Sequence, residues 1–235
     1  MVRRNESNQP IGELVPEWTE VPLPSKAAMN GNLCKVEGLS VDKHALDLYE
    51  AFSEDVTGGI WTYMTVGPFS DFDSFRNWVE EAVSCDDPQA YAIVDLESNK
   101  AVGTASYLRM QPAMGVIEVG QIVYAPCMQR TPLATEAMLL MAQRVFNELG
   151  YRRYEWKCDD LNAPSKRAAE RLGFSYDGLF EQAIVYKGRN RDTAWYSILD
   201  KDWPRVEAAY KEWLKPENFS NSGSQRKPLS AFLNA

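Results

Sequence analysis

Apolar residues recur three or four positions apart in two early stretches of the chain, from Ser40 to Ser53 and from Asp71 to Ser84. This spacing is typical of an amphipathic helix, and polar Ser40 and Asp42 are start signals for the first one. We therefore predict two early helices. Their apolar stripes comprise Leu46, Tyr49 and Phe52 in the first helix, and Phe72, Phe75, Trp78, Val79 and Val83 in the second.

The pattern then changes to that of β-strands separated by turn residues. Strands are predicted over Tyr91–Leu96, Val102–Gln111, Val116–Tyr124, Tyr154–Cys158, Tyr176–Tyr186 and Asp192–Leu199, and helices over Pro132–Leu149, over Ala163–Leu172 and from about Pro204. The first three strands read as an antiparallel meander, whereas Val116 to Cys158 has the size of a parallel βαβ unit. The predicted fold class is α/β (α+β), with a mixed, mostly antiparallel central sheet and helices on both faces.

The two ends of the chain differ in composition from its centre. Several prolines interrupt helix and strand patterns early on, so residues 1–34 are predicted to form an N-terminal arm. Its candidate anchors are Leu14, Trp18 and Leu23. Residues 216–235, rich in Ser, Asn, Lys and Pro, are predicted to be a flexible tail. The chain of 235 residues is then expected to hold a single domain over 35–215.

Composition and charge exclude several classes of function. No apolar run is long enough for a membrane span, and no apolar segment follows the basic N-terminus, so we expect a cytoplasmic protein without a membrane partner. The net charge of −8 argues against nucleic-acid binding. The acidity is regional, because residues 37–100 hold 14 acidic against 3 basic residues, whereas 101–192 hold 10 against 12. Such an asymmetry can steer a charged ligand.

The supply of metal-ligating side chains is small. Four cysteines without close pairing and a single histidine predict no metal site. His44 falls in the first predicted helix, where we expect a solvated position. Acid and base chemistry is therefore expected from carboxylates, hydroxyls, backbone groups or water.

A polar loop opens onto the helix that begins at Pro132, and a helix N-terminus is a general site for anions and phosphates. The loop reads Gln129-Arg130-Thr131-Pro132-Leu133-Ala134. It resembles the Q/R-x-x-G-x-G/A loop of the GNAT superfamily of acetyl-CoA-dependent N-acetyltransferases, with Pro132 in the place of the first glycine. An ordinary helix that starts with proline would also explain this segment.

A second motif strengthens the resemblance. Asn162 and Ser165, followed by Gly173-Phe174, are similar to the N-x-x-S/A and L-G-F elements that close the cofactor cleft in this superfamily. The similarity covers about residues 35–200 and is greatest to ribosomal-protein alanine N-acetyltransferases. It implies the GNAT acyl-CoA N-acyltransferase fold, acetyl-CoA as co-substrate, and a set of cofactor-binding residues: Ile122, Val123, Gln129, Arg130, Thr131, Leu133, Ala134, Thr135, Asn162, Ser165 and Arg167.

Two residues are the candidate catalytic groups. Glu118 is the only carboxylate in an apolar strand, where burial would raise its pKa toward the range of a general base. It could instead satisfy the strand backbone at a bulge beside Gly120. Many family members carry a tyrosine proton donor seven positions after the asparagine, but Ala169 stands there. Ser165 is the expected donor to the departing thiolate, with Tyr124, Tyr186 or water as alternatives.

The function predicted by the resemblance is acetyl transfer from acetyl-CoA to a primary amine by direct attack in a ternary complex. The acceptor could be a peptide N-terminus, a polyamine or a small amine, and the acidic region predicts a cationic one. The alternative is a catalytically inactive acyl-CoA-binding regulatory module. The sequence leaves a homodimer open.

Overall fold

The computed structural model describes residues 3–234, and eight of its strands form one sheet. Their order across the sheet is β3-β4-β5-β6-β7-β8-β10-β9, and every neighbouring pair is antiparallel except β7 and β8. The strands are β1 (Arg3–Arg4), β2 (Pro10–Ile11), β3 (Met29–Asn30), β4 (Cys34–Gly38), β5 (Gln89–Asp95), β6 (Lys100–Gln111), β7 (Val116–Tyr124), β8 (Arg153–Asp159), β9 (Ser175–Tyr186) and β10 (Arg189–Leu199). The short pair β1 and β2 forms a separate hairpin.

Helices lie on both faces of this sheet. They are α1 (Val41–Ser53), α2 (Phe72–Ser84), α3 (Pro132–Gln143), α4 (Ala163–Arg171), α5 (Trp203–Trp213) and α6 (Leu229–Leu233). Cys34 of β4 contacts the Leu133 carbonyl of α3, whereas Glu37 bonds to His44 of α1. Residues three apart on a strand point to opposite faces, so α1 and α3 flank the sheet on its two sides. The predicted fold class is therefore confirmed.

A break in strand pairing creates a gap in the middle of the sheet. Strands β7 and β8 are paired only over Val116–Val119 and Arg153–Trp156, and neither continues to pair with the other beyond that point. On its other edge β7 pairs with β6 through a bulge, where Gln121 has a φ of 50°. Bulges bend and twist a strand. The two strands consequently diverge toward their C-terminal ends.

Three details correct the expectations drawn from the sequence. The helix from Pro132 becomes a π-helical turn at Arg144–Glu148. His44 is buried rather than solvated, because its Nδ1 accepts a hydrogen bond from the Ser40 N–H and its Nε2 lies 3.2 Å from Glu37 Oε1. The residues after 215 also differ from a flexible tail, since α6 packs against α5 with Leu229 and Leu233 buried.

The N-terminal arm makes several polar contacts with the domain. The buried guanidinium of Arg144 donates to the carbonyls of Ser25 and Ala27, at 3.3 and 2.6 Å. Trp18 donates from Nε1 to the Ala113 carbonyl at 2.8 Å. Of the other predicted anchors, Leu14 and Leu23 are exposed. Between residues 3 and 234, no helix has the length and apolar character needed to span a membrane.

Candidate active site

The mouth of the gap between β7 and β8 is formed by the start of α3 and the loop before it. Thr131 is the N-cap of α3, and its hydroxyl accepts a hydrogen bond from the Ala134 N–H. Arg130 adopts a positive φ of 63°, and the Gln129 side chain donates to the Tyr124 carbonyl at 3.0 Å. The loop thereby joins the end of β7 to a helix N-terminus whose dipole favours an anion. Pro132 withholds one N–H from this turn but has a fixed φ suited to the first helical position.

The other predicted cofactor-binding residues of β7 and α3 differ in how far they are exposed. Ile122 and Leu133 are partly exposed, whereas Val123 and Thr135 are buried. The Thr135 hydroxyl accepts a hydrogen bond from Arg171 of α4 at 2.8 Å, so it ties two helices together. Val123 and Thr135 can therefore offer a ligand only their backbone.

The opposite wall of the gap is the start of α4. Asn162 caps this helix by accepting a hydrogen bond from the Ser165 N–H at 3.1 Å. The Ser165 hydroxyl accepts from the Trp156 indole at 3.0 Å, and its own hydrogen can be donated, with the Cys158 thiol as a neighbouring acceptor. Arg167 is exposed, and Lys166 is paired with Asp160.

Glu118 lies among buried charges on the α1 face of the sheet. Its Oε2 is 2.9 Å from Lys157 Nζ and 3.3 Å from Arg109 Nε. Lys157 is also 2.7 Å from Glu155 Oε2. The partners of Glu118 are thus cations, rather than the strand backbone considered as the alternative.

Burial dominates the electrostatics of Glu118. Its side chain is 5% exposed, and desolvation raises the pKa of this carboxyl above its ordinary value, although Lys157 and Arg109 oppose the rise. A raised pKa favours a group that accepts and returns protons near neutral pH.

Glu118 and Ser165 approach the gap from opposite faces of the sheet. Glu118 is level with Glu155 in the β7–β8 register, and Ser165 is bonded to Trp156, the next residue of β8. Successive strand residues point to opposite sides. A substrate in the gap would therefore meet a carboxylate on one side and a hydroxyl on the other.

The alternative proton donors are less suitably placed. Burial raises the pKa of Tyr124 far above its usual range, and its hydroxyl has no hydrogen-bond partner among residues 3–234. The Tyr186 hydroxyl donates to Asp159 Oδ2 at 2.9 Å, an interaction that together with burial raises its pKa. Cys158 is a buried core residue.

Sequence reasoning missed Lys157, whose ammonium lies 3.6 Å from the centroid of the Trp195 ring. The signal was the alternation of Glu155 and Lys157 on one face of β8. Recognising its link to Glu118 required the register between β7 and β8, which are far apart along the chain. Within the described range, no group of three or more His, Cys, Asp or Glu side chains is placed to hold a metal ion.

Comparison with known proteins identifies the family. The family model "Acetyltransferase (GNAT) domain" matches residues 39–175. The crystal structure of a GCN5-related N-acetyltransferase from Brucella melitensis is 43% identical, with a TM-score of 0.92 over 94% of this chain and 100% of that one. An uncharacterised N-acetyltransferase, p20, from Bacillus licheniformis is 24% identical over 72% of this chain and 99% of its own length.

A more distant structure shares the fold. The acetyltransferase from Salmonella typhimurium that modifies the N-terminal serine of ribosomal protein L7/L12 has a TM-score of 0.63 at 15% identity, over 74% of this chain and 99% of that one. The family match spans more than half of the chain, and the Brucella structure covers nearly all of it. The chain therefore belongs to the GNAT family of acetyltransferases, which use acetyl-CoA.

Proposed function

We propose that this protein transfers the acetyl group of acetyl-CoA to a primary amine while both substrates are bound. The observation that carries the proposal is the gap between β7 and β8, which opens beside a helix N-terminus and is flanked by Glu118 and Ser165 on opposite faces. Acetyl-CoA supplies the activated acetyl group. The chain supplies binding, orientation and proton transfer.

The loop and the diverging strands fit an extended, phosphate-bearing thioester. The phosphates would meet Arg130 and the N–H groups of the first turn of α3, including Leu133. The edge of β7 beyond Val119, including Ile122 and Val123, lacks a partner in β8 and offers its backbone to an amide-bearing chain. Gln129, Thr131, Ala134, Thr135 and Asn162 would shape this path, and Arg167 would add a positive charge at its exposed end.

Two proton transfers would occur, one on each face of the gap. An amine arrives protonated, and Glu118 would accept its proton directly or through a water molecule before the nitrogen attacks. Ser165 would pass its proton to the thiolate that leaves and take one from water, so that its hydroxyl is restored. A simple thiol has a pKa of about 8.5, so its thiolate is a good leaving group that needs little help from a proton donor.

The acceptor is proposed to be cationic. The acidic segment 37–100 includes α1 and α2, and α1 covers the same sheet face as Glu118. A peptide N-terminus, a polyamine and a small amine all fit this description. The Salmonella relative acts on a peptide N-terminus, which makes peptides the first class to test. The cytoplasmic location and the homodimer stay predictions.

The test is the release of free thiol from acetyl-CoA with a panel holding an alanine-initiated peptide, spermidine and a monoamine. We expect turnover with one class and a loss of roughly 100-fold in kcat for Glu118→Gln. Ser165→Ala should lower kcat less, because water can replace a weak donor. CoA binding without thiol release, together with an unaffected Glu118→Gln variant, would instead favour an acyl-CoA-binding module.

A separate measurement tests the phosphate site. Arg130→Ala should weaken the binding of CoA roughly 10-fold by removing a charge-assisted contact, while leaving the binding of pantetheine, which lacks the nucleotide phosphates, unchanged. Exposed Arg152 provides the control, and Arg152→Ala should change neither dissociation constant. An equal loss for CoA and pantetheine in Arg130→Ala would contradict the assignment.

A further inference from the structure

Lys157 is the first residue of β8 beyond the point where β7 and β8 separate. Its side chain is 4% exposed, yet it carries an ammonium group. Removing a charge from water is costly unless partners compensate. Three do so here: Glu118 at 2.9 Å, Glu155 at 2.7 Å and the ring of Trp195 at 3.6 Å from its centroid.

The strand register explains why these groups meet. Glu118 and Glu155 are direct partners across β7 and β8, and Lys157 lies two residues farther along the same face. Trp195 is opposite Lys157 on β10. The ammonium is therefore held from three strands, at the floor of the gap and beside the carboxylate proposed to accept the proton.

An unpaired carboxylate in this position would be protonated at neutral pH, since full burial can raise the pKa of a glutamic acid to about 8–9. The charged groups that face Glu118 are Arg109 on β6, and Lys157 and Glu155 on β8. Arg109 is half exposed and 3.3 Å away, so solvent weakens its effect. Lys157 is the buried cation of the two.

We propose that Lys157 is a positioning residue that keeps the Glu118 carboxylate ionised and fixed at the floor of the gap. The inference rests on the proposed role of Glu118 as proton acceptor. Lys157 itself gives up no proton in this scheme. Its fixed charge makes the neighbouring carboxylate available at neutral pH.

The direct test is a carboxyl ¹³C NMR titration of the protein without substrates, with the Glu118 signal assigned by its absence in Glu118→Gln. Lys157→Met keeps the side-chain length and removes the charge, and should move the Glu118 midpoint upward by about two pH units. Lys157→Arg should restore most of the wild-type midpoint. The matched control is Arg153→Met, which removes a cation that contacts Glu155 and Asp177 but not Glu118.

Turnover of acetyl-CoA with the most active amine of the panel supplies the second readout. In Lys157→Met the acidic limb of the kcat profile should move to higher pH and activity should recover there. Near pH 7 we expect kcat to follow the ionised fraction of Glu118, which falls roughly 10-fold for every pH unit by which its midpoint exceeds the assay pH. KM for acetyl-CoA should stay unchanged. A merely structural role would lower activity equally at every pH.

A second variant serves as the control for misfolding. Lys157→Met combined with Glu155→Gln removes one buried anion together with the cation, and should retain the raised Glu118 midpoint in a protein that unfolds cooperatively. An unchanged midpoint in the folded variants would overturn the inference. Because the titration needs no turnover, a failure of Glu118 as the catalytic base would be seen separately, as full activity of Glu118→Gln.

Discussion

Glu136 shows how one carboxylate can hold together distant parts of the chain. It is buried in α3 and accepts hydrogen bonds from the backbone N–H groups of Asn32, Leu33 and Cys34, at 2.7 to 2.9 Å. Gly31 has no side chain, and a Cβ there would collide with this carboxylate. The tight turn between β3 and β4 is thus built around an anion from another element.

This geometry predicts a large loss of stability for Glu136→Gln. The amide group cannot accept from three converging donors, and hydrogen bonds to a charged group contribute about 1.5–3 kcal/mol each, so we expect a loss of roughly 3 kcal/mol. Urea unfolding measures it. Glu80→Gln on the exposed surface of α2 should change stability by less than about 0.5 kcal/mol. Equal effects of the two substitutions would refute the prediction.

The environment of His44 predicts a dependence of stability on pH. Burial lowers the pKa of His44 below its ordinary value, although Glu37 opposes the shift, and Lys43 and Lys35 add to it. The unfolded chain then binds a proton before the folded one, so His44 reduces stability as pH falls below about 6.5.

We therefore expect the wild type to lose more free energy of unfolding than His44→Gln between about pH 7.5 and pH 5.5. Urea denaturation at both pH values provides the comparison. Glu37 is common to both proteins and titrates at lower pH, since its pKa is itself lowered. Parallel losses in the two proteins would contradict the assignment.

Residue roles could be predicted from the sequence where they are local. Asn162 and Ser165 were predicted at the start of a helix, and their capping contact spans three residues. Glu136 and Lys157 were missed because their contacts depend on strand register or on partners more than 100 residues away. His44 was misplaced for the same reason, since Glu37 faces it from a strand whose pairing the sequence does not reveal.

At the scale of elements, the apolar pattern predicted most strands and helices within about three residues of their ends. β7 was predicted with its observed bounds, Val116–Tyr124. The pattern failed for α6, because two buried leucines in a five-residue helix give too short a periodic signal. It also missed the π-helical turn at Arg144–Glu148, where one residue is added to a turn without a change in composition.

That turn contains Arg144, whose guanidinium binds the N-terminal arm. Arg144→Met should leave the Ala27 carbonyl without this donor and the Ser25 carbonyl with only the Tyr91 hydroxyl, at 2.8 Å, and so loosen the arm. Trypsin would then cleave at Lys26, which is exposed, much faster than in the wild type.

Limited proteolysis followed by mass spectrometry measures the rate of this cleavage. Arg152→Met is the matched control, because Arg152 stacks on Trp18 of the same arm from an exposed position. Cleavage should stay slow in that variant. A slow cut at Lys26 in Arg144→Met would show that other contacts hold the arm.

At the scale of the whole molecule, charge is divided unevenly between two segments of the chain. The acidic segment 37–100 forms α1 and α2, whereas the strand and helix that border the gap lie in the slightly basic segment 101–192. The sequence predicted this division. Only the fold shows that α1 lies on the face of the sheet that carries Glu118.

That division predicts that KM for a cationic acceptor depends on salt concentration. Raising NaCl from about 20 to about 300 mM shortens the screening length several-fold, and should raise KM for a dicationic polyamine more than KM for an arylamine that is neutral at assay pH. Steady-state kinetics at both salt concentrations provide the measurement. Exposed Glu80 and Glu81 offer a control, since their double replacement by Gln should reduce the difference. An equal change in KM for the two amines would exclude electrostatic steering of the acceptor.

The arm also sets an order of events during synthesis. Its partners, Glu136 and Arg144, lie between 102 and 119 residues downstream of the groups they bind. A ribosome making the chain from its N-terminus releases the arm long before it makes these partners. The contacts of Glu136 and Arg144 with residues 25–34 can therefore form only after the segment 136–144 has emerged. The segment that is synthesised first is thus among the last to reach its final contacts. Until those contacts form, a protease could cleave the arm.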